Sequence, residues 1–79
     1  MPNVDVDEII DIELLRKKVD IYFILGTKVH IKKTDGIWKR GIIKEISADF
    51  FIIEEALQGA MPIFFQELRG IEPFREASG

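Results

Sequence analysis

Near Gly26 the spacing of apolar residues changes from a helical period to a strand-like one, and this change divides the chain into one helix followed by β-structure. Before it, Ile9, Ile12, Val19 and Phe23 keep a helical spacing, Ile10, Leu14, Ile21 and Leu25 widen the stripe, and Arg16, Lys17 and Lys18 are polar. Asp5 and Glu8 have the form of a capping box with Asp in the first place. Asp7, Glu8 and Asp11 put negative charge where a helix N-terminus favours it. A helix is therefore predicted from about residue 6 to about residue 24, with Gly26 as its stop. Residues 19–25 are apolar and β-branched enough to suit a strand as well, so an end near Lys18 is the competing reading.

From Thr27 onward Lys28, His30 and Lys32 alternate with Val29 and Ile31, as in a strand with one wet face. Asp35-Gly36 is a hairpin-turn signal, and residues 37–46 read as a second strand in which Gly41 marks a bend or bulge. A third strand is predicted over residues 50–55 after a turn at 47–49, a fourth over 61–66 after Gln58-Gly59, and a fifth over 69–74 that ends around Pro73. Residues 75–79 form a tail. The expected architecture is mainly β: a small, strongly bent, five-stranded antiparallel barrel over residues 27–74, preceded by the helix, in a single domain spanning residues 1–79.

A chain of 79 residues has room for one core, which at this size supplies little net stability without a staple or a partner. There are no cysteines, which excludes disulfides, thiolate metal sites and cysteine nucleophiles, and the lone His30 cannot anchor a histidine-rich metal centre. Stability must come from packing or from oligomerisation. The segments Phe50-Phe51-Ile52-Ile53 and Ile63-Phe64-Phe65 place large apolar groups on both faces of their strands, more than an isolated barrel needs. A homo-oligomer is expected, with Phe50, Ile52, Ile63, Phe64, Phe65 and Ile71 at the interface. The longest apolar runs, residues 21–25 and 50–53, fall far short of the roughly 20 residues of a membrane span. The first eleven residues are acidic where a signal peptide would be basic, so no membrane partner and a cytoplasmic location are expected.

Enzyme chemistry finds no foothold in these residues. Ser47 and Ser78 have only His30 as a base and no third group to orient it. Glu54 and Glu55 are neighbours on opposite sides of a strand, and the six glycines make no phosphate-cradling spacing. A binding protein without a cofactor or metal is expected. The net charge of −3 hides a segregation: residues 28–44 carry Lys28, Lys32, Lys33, Lys39, Arg40 and Lys44 against only Asp35, while the flanking segments are acidic. These lysines either solvate a strand edge or form an anion-binding surface. Trp38, just beyond the turn and beside Lys39 and Arg40, either packs against the helix or the barrel end or stacks on a nucleic-acid base. His30 reads as an exposed polar residue.

The spaced pattern Lys28-Val29-His30-Ile31, Asp35-Gly36, Gly41-Ile42-Ile43, Asp49-Phe50-Phe51-Ile52-Ile53, Gly59, Ile63 and Ile71-Glu72-Pro73 resembles the Sm-like superfamily, which includes archaeal Sm-like proteins and the bacterial Hfq-type RNA chaperone. Leu14-Leu15-Arg16-Lys17-Lys18 looks like the basic end of the helix that precedes the barrel in that superfamily. The resemblance implies a bent five-stranded sheet whose fourth and fifth strands pair between subunits to close an RNA-binding ring. Sm-type uridine recognition uses an Asp and an Asn after the second strand and a later Arg-Gly. Here Ser47 and Phe51, or in a shifted alignment Asp49 and Ile53, stand at the first two positions, and Phe64 and Phe65 at the last two. Phe64-Phe65-Gln66 also stand where Hfq-type members have Tyr-Lys-His, and Arg69-Gly70 comes too late to match. The Asn is missing in either alignment, so RNA is expected on another surface, formed by Lys28, Lys32, Lys33, Trp38, Lys39, Arg40 and Lys44. The competing functions are a protein-assembly scaffold and, more remotely, a small-ligand or nucleotide-binding barrel.

Overall fold

The computed structural model describes residues 12–75, so the helix start near Val6 and the Asp5–Glu8 pair lie outside the described residues. Helix α1 (Ile12–Leu25) precedes five strands: β1 (Lys28–Lys33), β2 (Trp38–Ile46), β3 (Phe50–Glu55), β4 (Gly59–Phe64) and β5 (Leu68–Pro73). All pairings are antiparallel, and the strands lie in one sheet in the order β4-β3-β2-β1-β5. The expected mainly β architecture with a leading helix is what forms. The sheet is open between β4 and β5, which are its two edges.

Residues 19–25 are helical rather than extended. Two features favour the helix. Val19 is fully buried on the sheet one turn after Leu15, and Gly26 at φ +67° ends the helix in a Schellman motif: Gly26 N–H donates to the Phe23 carbonyl (3.2 Å) and Thr27 N–H to the Tyr22 carbonyl (3.1 Å). The buried stripe differs from the one the sequence suggests. Leu15, Val19 and the partly buried Tyr22 face the core, with α1 packed on β2 and β5, whereas Ile12, Phe23, Ile21 and Leu25 remain exposed. The stripe is set by where the sheet lies, and apolar residues nearly all round the helix left several choices open.

In β1 the alternation holds: Val29 and Ile31 are fully buried. With Ile43, Phe51, Ile53, Ile63, Phe65, Leu68, Ile71 and the two helix residues they form one core on the inner face of the sheet. The β1–β2 turn uses Gly36 at φ +81°, and Asp35 Oδ1 accepts from Ile37 N–H at 2.9 Å, a side-chain-closed turn of the kind Asp favours. Gly41 is the site of a close strand approach and does not itself carry the bulge. A Cβ there would lie 2.7 Å from the Glu54 carbonyl oxygen, so only glycine lets β3 approach this closely, while the register break comes later, between Ile43 and Glu45.

Strand β4 stops at Phe64, two residues before the expected Gln66, because its partner β3 begins at Phe50 opposite Phe64 and offers nothing further to pair with. The next three residues, Phe65–Glu67, make a single 3-10 turn that drops Phe65 into the core. It is held by Phe65 N–H donating to the Asp49 carbonyl (2.9 Å) and Thr34 N–H donating to the Glu67 carbonyl (2.9 Å). β5 then starts at the fully buried Leu68, one residue before the expected Arg69. Among the described residues no helix is long and apolar enough to cross a membrane.

Candidate functional site

Strand β1 runs between β2 and β5, so its outward residues Lys28, His30 and Lys32 are flanked on both sides. The register sets Lys32 opposite Trp38 and His30 opposite Arg40 on β2, and His30 opposite Glu72 on β5. Phe74, just past β5, is tied in by its N–H donating to the Lys28 carbonyl at 2.8 Å. An aromatic row results. The His30 ring lies 4.2 Å from Trp38, tilted by 36°, and 5.8 Å from Phe74, edge to face.

Cations stand over the outer rings of this row. Lys28 Nζ lies 4.9 Å and the Arg40 guanidinium 5.4 Å from the centre of Phe74, and Lys32 Nζ lies 5.9 Å from Trp38. At such wet sites each contact stabilises by only about 0.5–1 kcal/mol, so its effect is to hold the charge beside the ring. Glu72 Oε1 is 3.9 Å from His30 Nδ1. Trp38 is 46% exposed on this face. It stands on the open sheet rather than against the helix.

His30 lines two open depressions. One, of about 300 Å³, also involves Trp38, Lys39, Arg40, Glu55 and Leu57; the other, of about 430 Å³, involves Glu72, Phe74 and Arg75.

Of the six cations singled out from the sequence, the structure brings Lys28, Lys32 and Arg40 together with Trp38. Lys39 is opposite the buried Ile31 on β2, yet it lines a depression together with His30, Trp38 and Arg40. Lys33 lies past a register break between β1 and β5, and its Nζ pairs with Glu67 Oε1 at 3.4 Å. Lys44 sits at the β2 register break, roughly 13 Å along the strand from Arg40 at 3.3 Å per residue. Sequence reasoning missed His30 as the centre of the row, and Phe74 and Glu72 altogether. The signal that could have found them is the return of the last strand beside the first, which sets Glu72 opposite His30.

The six apolar residues expected at an interface also divide. Phe50, Ile52 and Phe64 share the outer face of β3 and β4, with Phe50 and Phe64 rings 5.6 Å apart and Ile52 opposite Pro62. Ile63, Phe65 and Ile71 are buried in the chain's own core, so their side chains are not available to a partner. The turns after β2 and β4 meet. They form a depression of about 350 Å³ lined by Arg16, Asp49, Phe64, Phe65 and Gln66. Arg16 closes it from α1, its guanidinium 4.1 Å above the Phe65 ring and its Nη2 donating to the Ala48 carbonyl at 2.8 Å.

No protein-family model matches the chain, and no curated protein matches it.

Proposed function

We propose that this chain is a non-enzymatic, divergent Sm-like protein that assembles into a homo-oligomeric ring and binds single-stranded RNA on the outer face of β1, β2 and β5. The observation that carries the RNA reading is the row Trp38–His30–Phe74 with Lys28, Lys32 and Arg40 beside its rings. Single strands are held by cations that track phosphates and by aromatic faces on which bases stack, and this surface offers both across three adjacent strands. An overall charge of −3 does not oppose it, because Lys28, Lys32 and Arg40 stand together beside the aromatic row. A ring would repeat that face in every subunit, so weak contacts would add by multivalency.

Support for assembly comes from the two open edges, β4 and β5, and from the outer apolar group of exposed Phe64 and half-buried Phe50 and Ile52 next to one of them. Pairing one subunit's β4 with the next subunit's β5 is a head-to-tail contact, which closes when the rotation allows. A second reading, a protein-assembly scaffold without RNA, is favoured by Ile21, Ile24 and Leu25 on the exposed side of α1, Ile24 being 80% exposed.

Light scattering at micromolar protein should give a mass several times 9.1 kDa, and a monodisperse mass near 9.1 kDa would remove the ring. Fluorescence anisotropy with short single-stranded RNA should show binding at low salt that weakens steeply as salt rises, because phosphate contacts release counterions. Absence of binding at low salt would remove the RNA reading and leave the scaffold.

A further inference from the structure

We propose that the two depressions beside His30 hold the bases of two successive nucleotides, and that the carboxylate in each, Glu55 in one and Glu72 in the other, selects bases carrying an exocyclic amino group over uracil. This rests on the RNA reading above and names the class of strand the site takes. Each depression contains an aromatic ring, at least one cation and one carboxylate: Trp38, Lys39, Arg40 and Glu55 on one side, Phe74, Arg75 and Glu72 on the other. His30 belongs to both and stands between them, placed to separate two bases as a wedge.

The carboxylates are the informative part. A surface that only gripped phosphate would be weakened by acids among its cations, since like charges repel at this range. A carboxylate is an acceptor without a donor, and its natural partner on a base edge is an amino group, as on cytosine N4 or adenine N6. Uracil offers only N3–H, flanked by two carbonyl oxygens that repel a carboxylate. One oxygen of Glu55 is held by Leu57 N–H at 3.0 Å, which fixes the group at the rim and leaves its other oxygen to meet a base. The same two rings do not suit a cationic ligand such as a methylated ammonium, because a cation of this chain already stands within 5.9 Å of each.

Cytosine and uracil have rings of equal size, so comparing them isolates the edge contact from stacking. Anisotropy with the full chain, at one salt concentration and mildly alkaline pH, should show oligo-C binding about fivefold or more tighter than oligo-U of the same length. In the double variant Glu55→Gln, Glu72→Gln each amide still accepts from cytosine but also donates to uracil O4. The variant should bind both strands more tightly, since two negative charges are gone, while the ratio of the two affinities falls toward one. Equal binding of oligo-C and oligo-U by the unaltered protein overturns the selectivity and leaves the RNA reading intact, as does a ratio that the double variant does not change. Binding of neither strand at low salt overturns both.

Discussion

Phe51→Ala is expected to leave the domain largely unfolded at room temperature. The Phe51 ring is fully buried, lies 5.3 Å from the Phe65 ring, and sits on β3 between Ile46 of β2 and Ile63 of β4. Truncating a buried phenylalanine typically costs about 3–5 kcal/mol, the sum of forfeited transfer energy and an uncollapsed cavity. A domain of this size without cross-links holds roughly that much net stability in its core. Urea unfolding followed by far-ultraviolet circular dichroism checks it, at fixed protein concentration because assembly would add its own contribution. Phe64→Ala is the control. Phe64 is 46% exposed and its ring meets Phe50 on the outer face, so within one chain its truncation should cost about 1 kcal/mol or less. If Phe51→Ala unfolds within about 1 kcal/mol of the unaltered protein, the inner face of β3 is not the core.

Reversing Lys28 and Arg40 together should abolish RNA binding at low salt, lowering affinity by more than about tenfold and flattening its salt dependence. Both cations stand over Phe74, so Lys28→Glu with Arg40→Glu replaces two phosphate partners by two repelling charges at the centre of the face. For a single strand, each phosphate left without its cation should reduce the slope of log affinity against log salt by about 0.7. Lys17→Glu with Lys44→Glu changes net charge equally while leaving that face intact, since Lys17 is on exposed α1 surface and Lys44 is at the β2 register break. Equal weakening in the two double variants would mean that binding follows net charge, and the face would have no special part in it.

What was legible in the sequence is what local chemistry decides. The period-two alternation of Lys28, Val29, His30 and Ile31 depends only on strand geometry. Gly26 and Gly36 occupy positive φ, where a side chain is strained, so the helix stop and the first hairpin could be placed from residue type alone. The limits of β3 follow from the run of Phe and Ile between two turns. The end of β4 did not follow, because Phe64, Phe65 and Gln66 continue its apolar pattern and it is the start of β3 that cuts the pairing off. Likewise the expected patch grouped Trp38, Lys39 and Arg40, whereas the register sets Trp38 opposite Lys32, Arg40 opposite His30 and Lys39 opposite the buried Ile31.

The candidate site depended most on tertiary structure. His30 and Phe74 are more than forty residues apart in the chain, and no local spacing links them. They meet because β5 returns along β1 in a fixed antiparallel register, with Glu72 opposite His30 and Phe74 bonded to Lys28. The sequence by itself therefore determined the elements, their turns and the sign of charge on the first hairpin. The packing of the last strand against the first brought Phe74 and Glu72 beside His30, Lys28 and Arg40, because cross-strand neighbours are set by register, which nearby residues do not encode.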